Sequence, residues 1–361
     1  MKTVFVTNIP APYREKVHET VSNEYKGNYH VIYCSAIEEN RKWKFNLGNY
    51  ARTFLTSKTL SYKGREIYLS SDIRRVLDNI NPDVVMIGGF SLPMVIAYIW
   101  AITHRKKIIS FSDANCESEG RLSFFHKLVR KLFYRVSHAF VGASKKTQVL
   151  FKSYGAKSHQ LFQSHLCANN GMFEGSSKPF EQRPYDVILC GQMIKGKMFD
   201  FSLDVISLMK VRKPDIAVKI LGTGPLKEHI LARLNELGIE YDYPGFVNQE
   251  ELPLHYSTAK IFFFPSLRDA WGVVANEACA AGTPVFTCSV VGAANELIVH
   301  GKNGYVMDVD ASLWANKAIA LLASSSWSKM SDCCVSSVLP YTYENAAQGI
   351  VLASNYVKGL K

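Results

Sequence analysis

Residues 260–288 read KIFFFPSLRDAWGVVANEACAAGTPVFTC. An aromatic and β-branched run, 260–265, ends at Pro265-Ser266. A run of small and apolar residues then starts near Gly272 with helical spacing, and a second strand-like run follows at 284–288. A strand, a helix and a strand with no hairpin turn between them make a parallel βαβ unit. Two acids, Asp269 and Glu277, straddle the start of that helix. Unpaired charge in a packed helix is costly, so something must pair with both.

Working outward, the same alternation fills the chain. Strands are expected at 186–191, 217–222, 239–243, 260–265, 284–288 and 304–308 in the second half. In the first half they are expected at 3–7, 29–34, 83–88, 107–112, 138–143 and 159–164, with helices at 12–24, 71–79, 92–103, 121–136 and 144–154. The stretch CANNGMFEGSSKPFEQRPY between the halves lacks periodicity. The expected organisation is an α/β protein of two facing, doubly wound Rossmann-like domains: 1–165, a linker at 166–183, and 184–340. A last amphipathic helix, 341–361, packs back toward the N-terminal domain. Ligands of such sheets sit beyond the carboxyl ends of the strands, which places the active site in the cleft between the domains.

The 361 residues are too many for one ordinary core, and 47% hydrophobic with 20% charged residues is globular composition. Eight cysteines without a CxxC pair argue against a disulfide framework or a zinc site and for a reducing, cytoplasmic compartment. The start, MKTVFVTNIPAPYR, reads as a first strand and not as a signal peptide. Residues 84–102 carry no charge, yet Gly88-Gly89 and Pro93 divide them into strand, turn and helix start, not a membrane span. Net charge is +11, and it is uneven: residues 1–165 hold 25 Lys and Arg against 12 Asp and Glu, the remainder 17 against 19. An anionic partner for the first half is implied. No interleaved aromatic-basic platform or helix-turn-helix pattern supports nucleic acid.

Three strand ends in the second half supply matching chemistry. CGQMIKGKMFDF offers Gln192 and Lys197 at a helix start, where free N–H groups and the helix dipole favour an anion; ordinary loop lysines are the alternative. LGTGPLKEH offers Gly222 and Gly224, which allow close backbone approach to a flat ligand, though most such turns are merely turns. The amides of Ala270, Trp271, Gly272, Val273 and Val274 can hold a phosphate or sugar oxygen. Carboxylates accept from hydroxyl rows, so one acid suits a sugar ring and the other a ribose diol.

The stretch PSLRDAWGVVANEACAAGTPVFTCSVVGAANELIVHGKNGY resembles the signature of retaining GT-B glycosyltransferases of family GT4 (glycosyltransferase group 1). There an acidic pair spaced E-x7-E is followed by EAxAxGxPV and a later G…E…G.nG; here Asp269 and Glu277, Gly292 and Glu296, and Gly301, Asn303 and Gly304 fall on those positions. The resemblance reaches back through GFVNQEELPLHYSTAKIFFFPS and GQMIKGKMFD. It implies Lys197 on the donor diphosphate, Glu277 on the ribose and Asp269 beside the transferred sugar. PGFVNQ, with Phe246 and Val247, frames the base. It further implies a metal-independent, retaining transfer of a hexose or N-acetylhexosamine. The donor is a UDP- or GDP-sugar co-substrate, with no other cofactor. The acceptor that the resemblance implies is a lipid-linked glycan, in bacterial surface polysaccharide synthesis at the inner face of the cytoplasmic membrane. A sugar phosphorylase or nucleotide-sugar epimerase of the same design, or an inactive glycan-binding subunit, is the alternative. Two departures stand out: the family's usual arginine before the lysine is Gln192, and the first acid is the shorter Asp269, beside Trp271. A shorter acid next to a larger ring predicts an altered sugar preference.

In the first half, NIPAPYR replaces the family's glycine-rich loop, and its Asn8 and Arg14 are candidates for phosphate or acceptor. Asp113 in SFSDAN either caps a helix or stands near the reaction centre as a third catalytic candidate beside Asp269 and Lys197. FFHKLVRKLFYRVSH, 124–138, is a basic amphipathic helix that fits either an anionic membrane surface or a core with a solvated basic side. The DVD at 308–310 resembles a metal-binding DxD, but no His joins it, and no metal is expected.

Overall fold

Near-continuous apolar strands such as Val84–Ile87, buried at all four residues, are what a parallel sheet covered on both faces requires. The computed structural model describes residues 1–37, 46–62, 65–70, 72–120 and 122–360. Ser71 and Arg121, expected as the first residues of two helices, lie outside them. The chain divides into two compact units, Met1–Leu166 with Tyr343–Lys361, and Cys167–Thr342.

The first unit contains β1 (Thr3–Thr7), β2 (Tyr29–Tyr33), β3 (Ala51–Phe54), β4 (Lys58–Tyr62), β5 (Arg65–Leu69), β6 (Val84–Ile87), β7 (Lys107–Ser112), β8 (Ala139–Gly142) and β9 (Leu161–Gln163). Seven of them form a parallel sheet in the order β3-β2-β1-β6-β7-β8-β9, while β4 and β5 make a separate antiparallel hairpin. β3 and the hairpin were not expected from the sequence. They are short and polar, and β3 has no buried residue. The helices are α1 (Pro12–Glu24), α2 (Ile73–Ile80), α3 (Leu92–Thr103), α4 (Cys116–Gly120), α5 (Phe124–Arg135) and α6 (Lys145–Ser153). The uncharged stretch 84–102 divides into β6 and α3, and no described helix is long and apolar enough to cross a membrane.

The second unit contains β10 (Tyr185–Cys190), β11 (Ala217–Leu221), β12 (Glu240–Gly245), β13 (Ala259–Phe264), β14 (Val285–Thr287) and β15 (Gly304–Val306), parallel throughout in the order β12-β11-β10-β13-β14-β15. Its helices are α7 (Phe199–Arg212), α8 (Lys227–Glu236), α9 (Leu252–Tyr256), α10 (Val273–Ala280), α11 (Ala311–Leu322) and α12 (Ser326–Ser337). The last helix, α13 (Tyr343–Lys358), returns to the first unit. It lies so close to β9 that a Cβ on Gly349 would stand 1.7 Å from the Gln163 carbonyl oxygen.

Residues 167–183 fold onto the second unit. Asn170 Nδ2 donates to the carbonyls of Val338 and Tyr341 at 3.0 and 3.1 Å. Arg183, buried, donates to the carbonyls of Lys178, Ala259 and Ala281 and to Thr283 Oγ1, and its guanidinium lies over the Trp327 ring. A buried arginine with this many acceptors ties the stretch down.

Candidate donor site

Because β12, β11, β10 and β13 are adjacent and parallel, their carboxyl ends deliver four loops to one edge of the sheet. The loops are joined by backbone bonds: Gly191 N–H to Leu221 O at 3.1 Å, Met193 N–H to Thr223 O at 3.0 Å, and Gly222 N–H to Gly245 O at 2.7 Å. This explains the glycines differently from the expectation of a ligand approach. A Cβ on Gly222 would stand 2.0 Å from the Gly191 carbonyl oxygen, and one on Gly224 would stand 2.5 Å from that of Met193. They let one loop lie on another.

The loop after β13 is fastened to the loop after β10. Leu267 N–H and Ser266 Oγ both donate to Gly196 O, at 2.9 and 3.0 Å. That clamp brings Lys197 and Asp269 together, and their side chains form an ion pair, three-quarters or more buried on both partners. The Lys197 ammonium also lies 5.3 Å from the Phe264 ring centroid. Asp269 is fixed twice more: its Oδ1 accepts from Trp271 N–H at 3.2 Å, and its carbonyl accepts from Gly292 N–H at 3.0 Å. The partner that Asp269 lacked in the sequence is therefore Lys197, 72 residues away.

Gly272 caps α10 with φ of +92°, and a Cβ there would stand 2.4 Å from the Phe264 ring. Only glycine accepts both conditions. The N–H groups of Val273 and Val274 open the helix and have no acceptor within it. The Trp271 amide, by contrast, is already engaged by Asp269. The Trp271 side chain is also not where a sugar-contacting ring would be. It is fully buried, donates through Nε1 to Asn276 Oδ1 at 2.7 Å and packs 5.3 Å from Tyr341. Its ring belongs to the core of the second unit.

Glu277 lies on α10, 7% exposed. The Tyr256 hydroxyl donates to its Oε2 at 3.2 Å. Burial pushes its carboxyl up from 4.5 to about 7, against the opposing effect of that hydrogen bond. Beside it, burial and the Glu277 charge push the Cys190 thiol up to about 12. Nothing in the sequence pointed to Tyr256, 21 residues before Glu277. Gln192 and Phe246 are exposed at the same edge of the sheet, and Val247 is half-buried beside Phe246.

In the first unit, Arg14 is buried and fully used. It donates to Ser164 O and Oγ and to His165 O, pairs with Asp113 at 3.0 Å, and lies over the Phe111 ring. Asp113 is not a helix cap. Asn115 caps α4, with Ser118 N–H donating to Asn115 Oδ1 at 2.9 Å. Asp113 instead ties the end of β7 to the start of α1 through Arg14, while Asn8 is exposed on the β1 loop. Asp310 of the DVD caps α11 through Leu313 N–H at 2.8 Å. Among the described residues no three His, Cys, Asp or Glu side chains gather as metal ligands.

With this geometry in place, the family becomes legible. Residues 174–333 match the model of the glycosyl transferases group 1 family. The match covers most of the second unit and less than half of the chain. Sequence relatives include an uncharacterized glycosyltransferase of Methanocaldococcus jannaschii, 36% identical over 26% of this chain and 25% of that protein. Another is the GDP-mannose-dependent alpha-(1-6)-phosphatidylinositol monomannoside mannosyltransferase of Mycolicibacterium smegmatis, 30% identical over 34% of each. The matches therefore span a quarter to a third of those relatives' length. Over the whole chain the fold is GT-B. Anabaena HepE in complex with UDP and glucose superposes with a TM-score of 0.75 at 15% identity, covering 98% of this chain and 99% of that one. The lipopolysaccharide outer core galactosyltransferase WaaB gives 0.71 at 15%, over 98% and 99%.

Proposed function

We propose that this chain is a retaining, metal-independent glycosyltransferase. It would move a hexose or N-acetylhexosamine from a UDP- or GDP-sugar to a lipid-linked glycan acceptor, in surface polysaccharide synthesis on the cytoplasmic side of the membrane. The observation that carries the reading is the Lys197–Asp269 pair at the open end of β10 and β13, beside the α10 N-terminus and one turn from buried Glu277. The group 1 family match and the UDP complexes of HepE support the donor class. The WaaB likeness supports the choice of acceptor.

The chemistry follows from the charges. As the glycosidic bond lengthens, positive charge grows on the anomeric carbon and negative charge on the departing diphosphate. The Lys197 ammonium and the Val273 and Val274 amides are held where that negative charge develops. Asp269 aligns the ammonium and accepts from the sugar hydroxyls, and Glu277 accepts from the ribose diol. The acceptor hydroxyl attacks from the leaving-group side and passes its proton to the departing phosphate, so no side-chain nucleophile is required. Gln192 adds no charge, which leaves the diphosphate more dependent on Lys197.

A transfer assay over a panel of UDP- and GDP-sugars tests this, with the product anomer read by NMR. The parent releases nucleoside diphosphate with retention, and Lys197→Ala stays folded but loses about a hundredfold to a thousandfold in turnover, with a lowered melting temperature because Asp269 loses its partner. Parent-like transfer by Lys197→Ala, or inversion at the anomeric carbon, refutes the assignment.

A further inference from the structure

Helix α5 presents an apolar side outward. Phe124, Phe125, Leu128, Leu132 and Val136 are 74%, 75%, 41%, 57% and 40% exposed, and Tyr134 is the one buried residue of the helix. Positions 124, 128, 132 and 136 recur every fourth residue and form one stripe along the helix. Lys127, Lys131 and Arg135 recur at the same interval beside it, and the helix contains no acid. The inner side is anchored. Phe133 stacks on Tyr98 of α3 at 4.5 Å, and Arg130 turns inward to Glu119 at 2.7 Å and over the Phe90 ring. Ile99 and Ile102 of α3 are exposed as well. An inner apolar side, Phe133 and Tyr134, does face the core, and the stripe at 124, 128, 132 and 136 is a second apolar side left outside it. Single exposed apolar residues are ordinary, but an aligned row of them is not.

We infer that α5 is a docking surface for an anionic lipid bilayer. It would lie in the interface with the Phe124–Leu132 stripe among the acyl chains and Lys127, Lys131 and Arg135 on the headgroups. An apolar stripe edged by cations along a helix too short to span is the geometry of an interfacial helix. Charge complementarity selects an anionic surface over a neutral one, and the excess of cations in residues 1–165 favours the same partner. The inference stands on the first unit alone and does not depend on the donor chemistry of the second.

The full chain is floated with vesicles of phosphatidylcholine and with vesicles of an equal phosphatidylcholine–phosphatidylglycerol mixture, at low and high salt, without nucleotide. Binding is expected to the mixed vesicles and to fall with salt. Replacing Lys127, Lys131 and Arg135 with Gln should weaken it about fivefold per charge. Phe124→Ser, Phe125→Ser and Leu132→Ser together should abolish it at either salt. Each variant should melt like the parent and bind nucleoside diphosphate equally well, which separates this inference from the donor assignment. Equal partitioning to both vesicles, or parent-like binding by either variant set, overturns it. So does a parent dimer that the Ser variant dissociates while vesicle binding is absent, since a second copy would then cover the stripe.

Discussion

Replacing Glu277 with Gln should make the ligand-free protein more stable and less able to bind its donor. Burial with one hydroxyl donor moves this carboxyl from 4.5 to about 7. The protonated form is thus favoured in the folded state. The cost of ionisation is absent below about pH 4.5, grows as pH rises, and is complete above 7. A rise of that size corresponds to about 3 kcal/mol. Gln fills the same space without the charge and keeps an oxygen for the Tyr256 hydroxyl. Its amide N–H groups take back about 1 kcal/mol or more where they find no acceptor. A net gain of about 1–2 kcal/mol at pH 8 raises the melting temperature of a unit of this size by about 2–8 °C. Calorimetry from pH 5 to pH 8 reads it: the gap between variant and parent is small at the acid end and widens through neutrality. Nucleoside diphosphate binding moves oppositely, tightening with pH in the parent as the carboxylate forms and staying weak and flat in the variant. A variant less stable than the parent at pH 8, or a gap that does not change with pH, refutes the reasoning.

Three further substitutions separate site from scaffold. In Gly292→Ala the new Cβ would stand 1.9 Å from the Ala270 carbonyl oxygen and 2.7 Å from Trp271 Cα, so the 269–272 loop must shift. Calorimetry should show a loss of about 2 kcal/mol or more, and titration a nucleotide affinity down by more than tenfold; parent-like affinity would contradict the role of that loop. Trp271→Phe leaves Asn276 Oδ1 without its indole donor and should cost about 1–3 kcal/mol. Relative rates across a donor panel should not change, and a changed sugar preference would return the ring to the site. Gly349→Ala forces α13 away from Gln163. It should lower the melting temperature of the first unit while nucleotide binding stays at the parent level; a loss of binding would show that α13 supports the donor site.

The parallel sheets were legible because their strands carry continuous apolar runs, VVMI in β6, VILC in β10 and IFFF in β13. β3 and the β4–β5 hairpin were not, because runs such as ARTF and KTLSY hold too few apolar residues to show a period. Within the site, spacing along one loop exposed Asp269 and Glu277, but their partners come from elsewhere. Lys197 reaches Asp269 through the Ser266–Gly196 clamp, and Tyr256 reaches Glu277 from α9. Sequence also does not say which way a ring turns at a helix start. Trp271 goes into the core beneath α10, whereas Phe246 stays at the exposed end of β12. Glycine is equally ambiguous: Gly222 and Gly224 serve a loop-to-loop contact, although the same pattern would suit a ligand.

The central claim is that the carboxyl edge of β10 and β13 binds the diphosphate and ribose of a nucleotide sugar. Isothermal titration of UDP and GDP into the parent, Lys197→Ala and Glu277→Ala tests it most directly. The account predicts saturable binding of one of the two nucleotides by the parent, weakened at least about tenfold in each variant, for the loss of one charge-assisted contact. Binding of neither nucleotide by the parent, or equal affinity in all three proteins, would contradict it.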